Sequence, residues 1–270
     1  MSAIKPSINL TGRIFCVTGG ASGIGFATAS LLAEYGAKAI WIADRQTKLF
    51  DLVHTQLSSI NPSTSIYLED VDVSQSSQVN NWIDRIIAKH GVLHGAANIA
   101  GIPQPPIEVN TSGPALIQET DENWRRIHSV NQDGIMYCTR AQFRVMYQEA
   151  KSSNPSIVNV TSIAALQHPG IGYSYSTSKA GAEHFTRNAA KDGFNYGIRV
   201  NGVLPGYTKT PMTEQTFDGL GDEEAQEARK KWNLPEPIEA SDIARSIVWL
   251  LSENSANVNG VSLPVGEGAP

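Results

Sequence analysis

The 270-residue chain predicts an α/β fold: one doubly wound domain on a parallel sheet of about seven strands, with helices on both faces. Three observations carry this expectation. Short apolar runs alternate with longer amphipathic ones along the chain, the pattern of strands joined by crossover helices. Several short runs are apolar at nearly every position, as strands covered on both faces require. The first run opens into a glycine-rich turn and then an apolar helix, "IFCVTGGASGIGFATASLLAEYGA".

The strand candidates, in order, are 14–18, 39–43, 65–68, 94–99, 156–160, 199–204 and 261–265. Between them Val79, Trp82, Ile83, Ile86 and Ile87 recur at helical spacing, and "DIARSIVWLL" at 242–251 carries another apolar stripe. Both are core faces. Long helices are expected at about 121–150 and 174–193. The segment 101–121 is rich in Pro and Gly and lacks periodicity, so it reads as a loop over one end of the sheet. Residues 209–234, with the charged run "DEEAQEARKK", form an excursion expected to help bind substrate, because long loops in a compact domain are usually functional. A prior of roughly 100–200 residues per domain also permits two domains. No repeat or linker divides the chain, so 1–270 is expected to be one dinucleotide-binding and catalytic unit.

Hydrophobic residues make up 41% and charged ones 17%, ordinary for a chain that buries a core. The net charge of -5 and a pI near 5.7, with no basic run longer than "RKK", exclude a nucleic-acid-binding face. Cys16 and Cys138 are the only cysteines, so neither a disulfide framework nor paired zinc-ligand spacing exists, and a cytoplasmic setting is expected. No uninterrupted apolar run reaches the roughly 18 residues of a membrane span, and no signal peptide is predicted. His90 and His94 are four apart, the spacing of metal ligands on one helix. Gly91 between them reads as a helix stop, so His90 ends a helix, His94 opens a strand, and no metal is expected.

In the opening motif Gly19 permits the tight turn, Gly23 lets backbone approach a pyrophosphate, and Gly25 lets helix pack on strand. The helix N-terminus adds free N–H groups and a positive dipole end. This is a Rossmann-type dinucleotide site in its proper strand–turn–helix context; the alternative is a plain glycine-rich turn. Nineteen residues after Gly25, Asp44 ends the second strand. A carboxylate there accepts hydrogen bonds from the adenosine ribose and repels a 2′-phosphate, so NAD(H) is the preferred cofactor. Arg45 beside it leaves NADP(H) open.

The stretch "YSYSTSK" at 173–179 places Lys179 four residues after Tyr175, on the same helix face. A phenol can exchange a proton with an alcohol oxygen, but its ordinary pKa near 10 must fall, and a nearby ammonium favours the phenolate. Tyr147 and Lys151 repeat the spacing, so spacing alone does not choose. Thirteen residues before Tyr175, just after a strand, is Ser162, able to donate to a substrate oxygen; thirteen before Tyr147 is Gly134, which has no side chain. Tyr173 has Thr177 four residues on, which carries no charge.

With "TGGASGIG" at 18–25 and "YSTSK" at 175–179, the chain resembles the short-chain dehydrogenases/reductases over almost its whole length. The resemblance implies that Ser22 and Ile24 join the three glycines at the cofactor. "DVDV" at 70–73 is similar to the adenine-contact motif, with Asp72 and Val73. "NIAG" at 98–101 keeps Asn98 of the family's Asn-Asn-Ala-Gly but has Ile99 for the second Asn. "PGYTKTPM" resembles the loop in which Pro205, Gly206 and Thr208 cover the nicotinamide. The catalytic set so implied is Asn131, Ser162, Tyr175 and Lys179. Tyr175 and Lys179 also contact the cofactor, Lys179 through the nicotinamide ribose. Asn131 supports a water-mediated proton path from Lys179, or is an Asn bonded within a helix interface.

The family's C-terminal Asp-Gly-Gly is "GEG" here, and the loop after Gly101 is longer than the family's. A homodimer or homotetramer joined through the two long helices is implied. The wording of "AKHGVLHGAANIAGI", "CTRAQ" and "SIVNVTSIAA" most resembles the subgroup found in fungal natural-product pathways. The implied activity is hydride transfer between nicotinamide and a secondary alcohol or its carbonyl, in a small to medium specialised metabolite. Its alternatives are a non-redox isomerisation or cyclisation, and a nucleotide-binding scaffold without turnover. Substrate choice is assigned to 102–121, to 164–174 with His168 as a polar contact or a merely solvated group, and to 209–234.

Overall fold

The computed structural model describes residues 8–105, 113–148, 153–167, 172–214 and 236–266. The seven expected strands are β1 (Ile14–Thr18), β2 (Ala39–Asp44), β3 (Ser65–Asp70), β4 (Gly95–Asn98), β5 (Ser156–Val160), β6 (Arg199–Pro205) and β9 (Ser262–Val265). They form one sheet in the order β3-β2-β1-β4-β5-β6-β9, and every neighbouring pair is parallel.

Strand alternation explains the unbroken apolar runs. Phe15, Val17, Ile40 and Ile42 face one core, while Ile14, Cys16, Ala39 and Trp41 face the other. Helices α1 (Gly23–Glu34), α2 (Phe50–Ile60) and α7 (Ala240–Leu251) cover the first face. Helices α3 (Ser76–His90), α5 (Gly134–Met146) and α6 (Tyr173–Phe194) cover the second. The stripe on α3 is core as expected: Ile83 and Ile86 are fully buried, each worth about 1.5–3 kcal/mol.

Gly91 adopts φ 75° and ends α3, donating its N–H to Ile87 O. His90 therefore closes that helix, where its Nε2 accepts from Trp41 Nε1 at 3.0 Å. His94 precedes β4 and its Nδ1 accepts from the Ile14 N–H at 3.1 Å. Burial, with Arg13 and Lys38 adding to it, pushes His94 down to about 4, so it stays a neutral acceptor. No metal-ligand cluster exists among the described residues.

The long helix expected at 121–150 is present over residues 121–146, with a π-helical turn inside it. Helix α4 (Asp121–His128) runs into a π-helical turn at Ser129–Asp133 before α5 begins. Such bulges re-aim side chains and gather at functional sites; this one contains Asn131. The base of the 209–234 excursion is pinched by a two-stranded ribbon, β7 (Thr208–Lys209) beside β8 (Ile238–Glu239). Residues 215–234, His168, Lys151 and the end of the "GEG" tail lie outside the described residues.

Candidate active site

The chain reverses direction across the sheet between β1 and β4, and a cleft of about 480 Å³ opens at the C-terminal strand ends there. Gly19, Ser22, Gly23, Ile24 and Gly25 line it where β1 passes into α1. Ser22 occupies the N-cap without a side-chain cap bond, which leaves first-turn N–H groups of α1 free to face an anion. Gly25 is required by space: a Cβ there would lie 2.0 Å from Gly19 O. Thr18, overlooked in the sequence, closes the floor; its Oγ1 accepts from the N–H groups of Ile99 (3.0 Å) and Ala100 (3.2 Å).

At the end formed by β2 and β3, Asp44 is buried and accepts from Ala21 N–H through Oδ2 and from Gln46 N–H through Oδ1, both at 2.9 Å. An ionised carboxylate accepts at about four sites, so two remain for ribose hydroxyls. Arg45 is held by two carboxylates, Asp70 at 3.0 Å and Asp72 at 2.7 Å. The other oxygen of Asp72 accepts from Ser74 N–H and Oγ. Val73 lines the cleft beside it.

At the far end stand Ser162, Tyr175 and Lys179, with Pro205, Gly206 and Thr208 along the adjoining wall. Ser162 follows β5 and its Oγ accepts from Ala164 N–H at 3.1 Å. Tyr175 lies in the first turn of α6, and Lys179 Nζ is 5.8 Å from its ring centre. That ammonium donates to Val160 O at 3.2 Å. Burial pushes Tyr175 up, and the Ser162 hydroxyl acts against that rise. Burial also brings Lys179 down to about 8.

Two residues of the expected set do not line the cleft. Asn98 is buried at the centre of the sheet, where Nδ2 donates to Gln142 Oε1 (3.0 Å) and Asn159 Oδ1 (2.8 Å), and Oδ1 accepts from Gln142 Nε2 (2.8 Å). Its side chain ties β4 to β5 and α5. Asn131 is also buried, and pins the backbone of Ile102 by accepting from its N–H (2.8 Å) and donating to its carbonyl (3.0 Å). It still flanks the reacting end, since a Cβ on Gly101 would lie 3.2 Å from Asn131 Oδ1 and 3.4 Å from Lys179 Nζ. The alternative reading, an Asn bonded within an interface, describes its side chain well.

A clamp absent from the sequence reading seats the first turn of α6. Ser174 Oγ donates to Gln104 Oε1 (2.6 Å), Tyr175 N–H donates to the same oxygen (3.2 Å), and Gln104 Nε2 donates to Glu119 Oε2 (3.1 Å). Acceptors satisfy otherwise orphan N–H groups there. Arg126 and Gln46 also line the cleft and were not anticipated, while Thr210 to Thr213 line it at the start of the 209–234 excursion assigned to substrate. Tyr147, the decoy, is half exposed at the end of α5.

A glycine-turn cleft that leads from a buried carboxylate to a phenol, a hydroxyl and an ammonium fits a nicotinamide-dependent alcohol dehydrogenase or ketoreductase. A family model described as "Enoyl-(Acyl carrier protein) reductase" matches residues 19–269, and the chain belongs to the short-chain dehydrogenase/reductase family. Within it, the chain is 45% identical over 259 residues to chanoclavine-I dehydrogenase of Penicillium roqueforti, covering 96% of this chain and 98% of the relative. It is 46% identical over 264 residues to chanoclavine-I dehydrogenase of Aspergillus fumigatus, covering 96% and 98%. Among solved structures, that of levodione reductase superposes with a TM-score of 0.86 at 27% identity, covering 96% of this chain and 98% of the other. The chain is thus an oxidoreductase acting on an alcohol or carbonyl group, in the company of natural-product enzymes.

Proposed function

We propose that this protein is an NAD(H)-dependent dehydrogenase of a fungal specialised metabolite, with chanoclavine-I as the first substrate to test. The observation that carries the reading is the meeting of Ser162, Tyr175 and Lys179 at one end of the cleft that holds Asp44 at the other. The named relatives are dehydrogenases, which favours redox chemistry over isomerisation or a silent scaffold.

Ser162 Oγ orients the substrate oxygen toward Tyr175, whose phenolate takes the hydroxyl proton in oxidation and returns it in reduction. Lys179 as ammonium stabilises that phenolate and binds the nicotinamide ribose; Asn131 holds the backbone at Ile102 against the same end. An oxidised nicotinamide held by these residues would supply the hydride acceptor, and its positive charge would favour the Tyr175 phenolate that burial opposes. The wall of Thr208 to Thr213 covers the reacting end.

NAD(H) is preferred because Asp44 faces the cleft with acceptor capacity to spare, while Arg45 is occupied by Asp70 and Asp72. Three carboxylates around one guanidinium disfavour a 2′-phosphate. Fluorescence titration with NADH and NADPH tests this; tighter NADPH binding would overturn it. For the reaction, purified protein with NAD and chanoclavine-I should raise nicotinamide absorbance, and a flat trace across chanoclavine-I and related alcohols would refute the substrate class. Assembly as a homodimer or homotetramer through α4, α5 and α6 rests on the family resemblance and is read by light scattering, a monomer being the contrary result. Both cysteines are free and buried, which fits a cytoplasmic setting.

A further inference from the structure

We propose that Glu183 is a positioning residue for the reaction: its buried carboxylate bonds Thr161 and so holds the end of β5, with Ser162 and the Val160 carbonyl, against the helix that carries Tyr175 and Lys179. The inference rests on the catalytic reading above.

Glu183 is 6% exposed and has no ion-pair partner among the described residues. Its hydrogen-bond partners are two hydroxyls. Thr161 Oγ1 donates to Oε2 at 3.1 Å, and Ser262 Oγ on β9 donates to Oε1. A buried carboxylate served by neutral donors is costly, and an apolar residue would pack the same space with less penalty. Its presence therefore calls for a task that an apolar side chain cannot perform. An ionised carboxylate accepts and never donates, so both hydroxyls are forced into one orientation.

The task follows from where its partners sit. Glu183 is one helical turn beyond Lys179 and two beyond Tyr175, on the same face of α6. Thr161 stands between Val160, whose carbonyl accepts from Lys179 Nζ, and Ser162, which lines the cleft with Tyr175. Its own N–H donates to Val203 O on β6 at 2.9 Å. Thr161 is thus tied through its backbone to the sheet and through its side chain to the catalytic helix. The Glu183–Thr161 bond sets helix and strand end in register, and with it the contacts on either side.

The sheet has been shaped to admit this carboxylate. Gly202 of β6 pairs with Ser262 of β9, and a Cβ on Gly202 would come within 2.6 Å of Glu183 Oε2. Oε2 is the oxygen that receives Thr161. A side chain at 202 would push the carboxylate off its partner without altering any catalytic residue chemically.

The test uses the full chain with NAD and the alcohol that the wild type turns over best, alongside NADH affinity, melting temperature and crystal structures. Displacements near 1 Å cost about 10²-fold in rate, so Thr161→Val and Glu183→Gln should each lower kcat by about 10–100-fold. NADH affinity should stay within about threefold, and Thr161→Ser, which keeps the hydroxyl, should recover most of the rate. Crystals of Thr161→Val should show Ser162 Oγ shifted relative to the Tyr175 hydroxyl. If Glu183→Gln does not fold, the Val/Ser pair at 161 decides. The proposal is overturned if Thr161→Val keeps wild-type kcat, if Ser is as damaging as Val, or if the Ser162–Tyr175 separation is unchanged in the crystal. Tyr175→Phe in the same assay separates the two failures. A fast Tyr175→Phe sinks the catalytic reading itself, whereas an inactive Tyr175→Phe beside a fast Thr161→Val sinks the role of Glu183 alone.

Discussion

Replacing Lys179 with methionine should abolish turnover and at the same time stabilise the protein at neutral pH. Burial brings this lysine from an ordinary value near 10.5 down to about 8. At about 1.4 kcal/mol per pKa unit, holding the ammonium in that site costs about 3 kcal/mol at pH 7. Loss of its bond to Val160 O offsets about 1 kcal/mol of the gain, leaving about 2 kcal/mol, or an increase of about 4–8 °C in Tm. The pH dependence fixes the sign. Between about 8 and 10.5 the unfolded chain binds more protons at this site than the folded one, so wild-type stability rises with pH there. The penalty is complete below that window and falls to about 1.5 kcal/mol by pH 9.5, where the advantage of methionine should nearly vanish. Cys16 and Cys138, whose thiols burial pushes up, titrate alike in both proteins and cancel in the difference. Urea unfolding at pH 7 and pH 9.5, followed by tryptophan fluorescence, measures it. A methionine variant less stable than wild type at pH 7, or a gap unchanged between the two pH values, would refute the reasoning.

Other perturbations probe separate parts of the site. Tyr175→Phe should lower turnover by at least about 10²-fold while NADH still binds, and stopped-flow hydride transfer at the wild-type rate would contradict its role. Asn98→Ala should lose about 2–4 kcal/mol of stability, because Gln142 and Asn159 are left short of partners. Its NADH affinity should not change; weakened binding at full stability would return Asn98 to the cofactor site. Gly25→Ala should abolish dinucleotide binding, since the new Cβ meets Gly19 O at 2.0 Å, and calorimetric titration with NADH reads it. Native Cys138, raised to about 12 and buried, should react with a thiol reagent only as fast as the protein unfolds.

The strands were legible because burial on two faces leaves a local mark: Ile14, Phe15, Cys16 and Val17 are all apolar, although alternate ones face different cores. The glycine turn was legible because Gly19, Ser22, Gly23, Ile24 and Gly25 are contiguous, so their chemistry needs no long-range assembly. Tyr175 and Lys179 share one helix for the same reason. The buried setting of Asn98 was not legible because a strand-end asparagine looks alike whether it turns to the cleft or into the sheet. Its partners Gln142 and Asn159 are 44 and 61 residues away. The π turn inside the long helix expected at 121–150 was not legible because it changes the hydrogen-bond register without ending the helix.

What the sequence by itself determined was the layered α/β class, the phosphate turn, Asp44, and the tyrosine and lysine, all features whose parts are neighbours in the chain. The tertiary structure alone decided which groups surround them. It placed Arg45 between Asp70 and Asp72, seated α6 on Gln104 and Glu119, and joined Glu183 to Thr161 beneath the catalytic groups. Those contacts bring together residues from separate strands and loops, and the direction and protonation of a buried polar side chain depend on partners that no local pattern encodes.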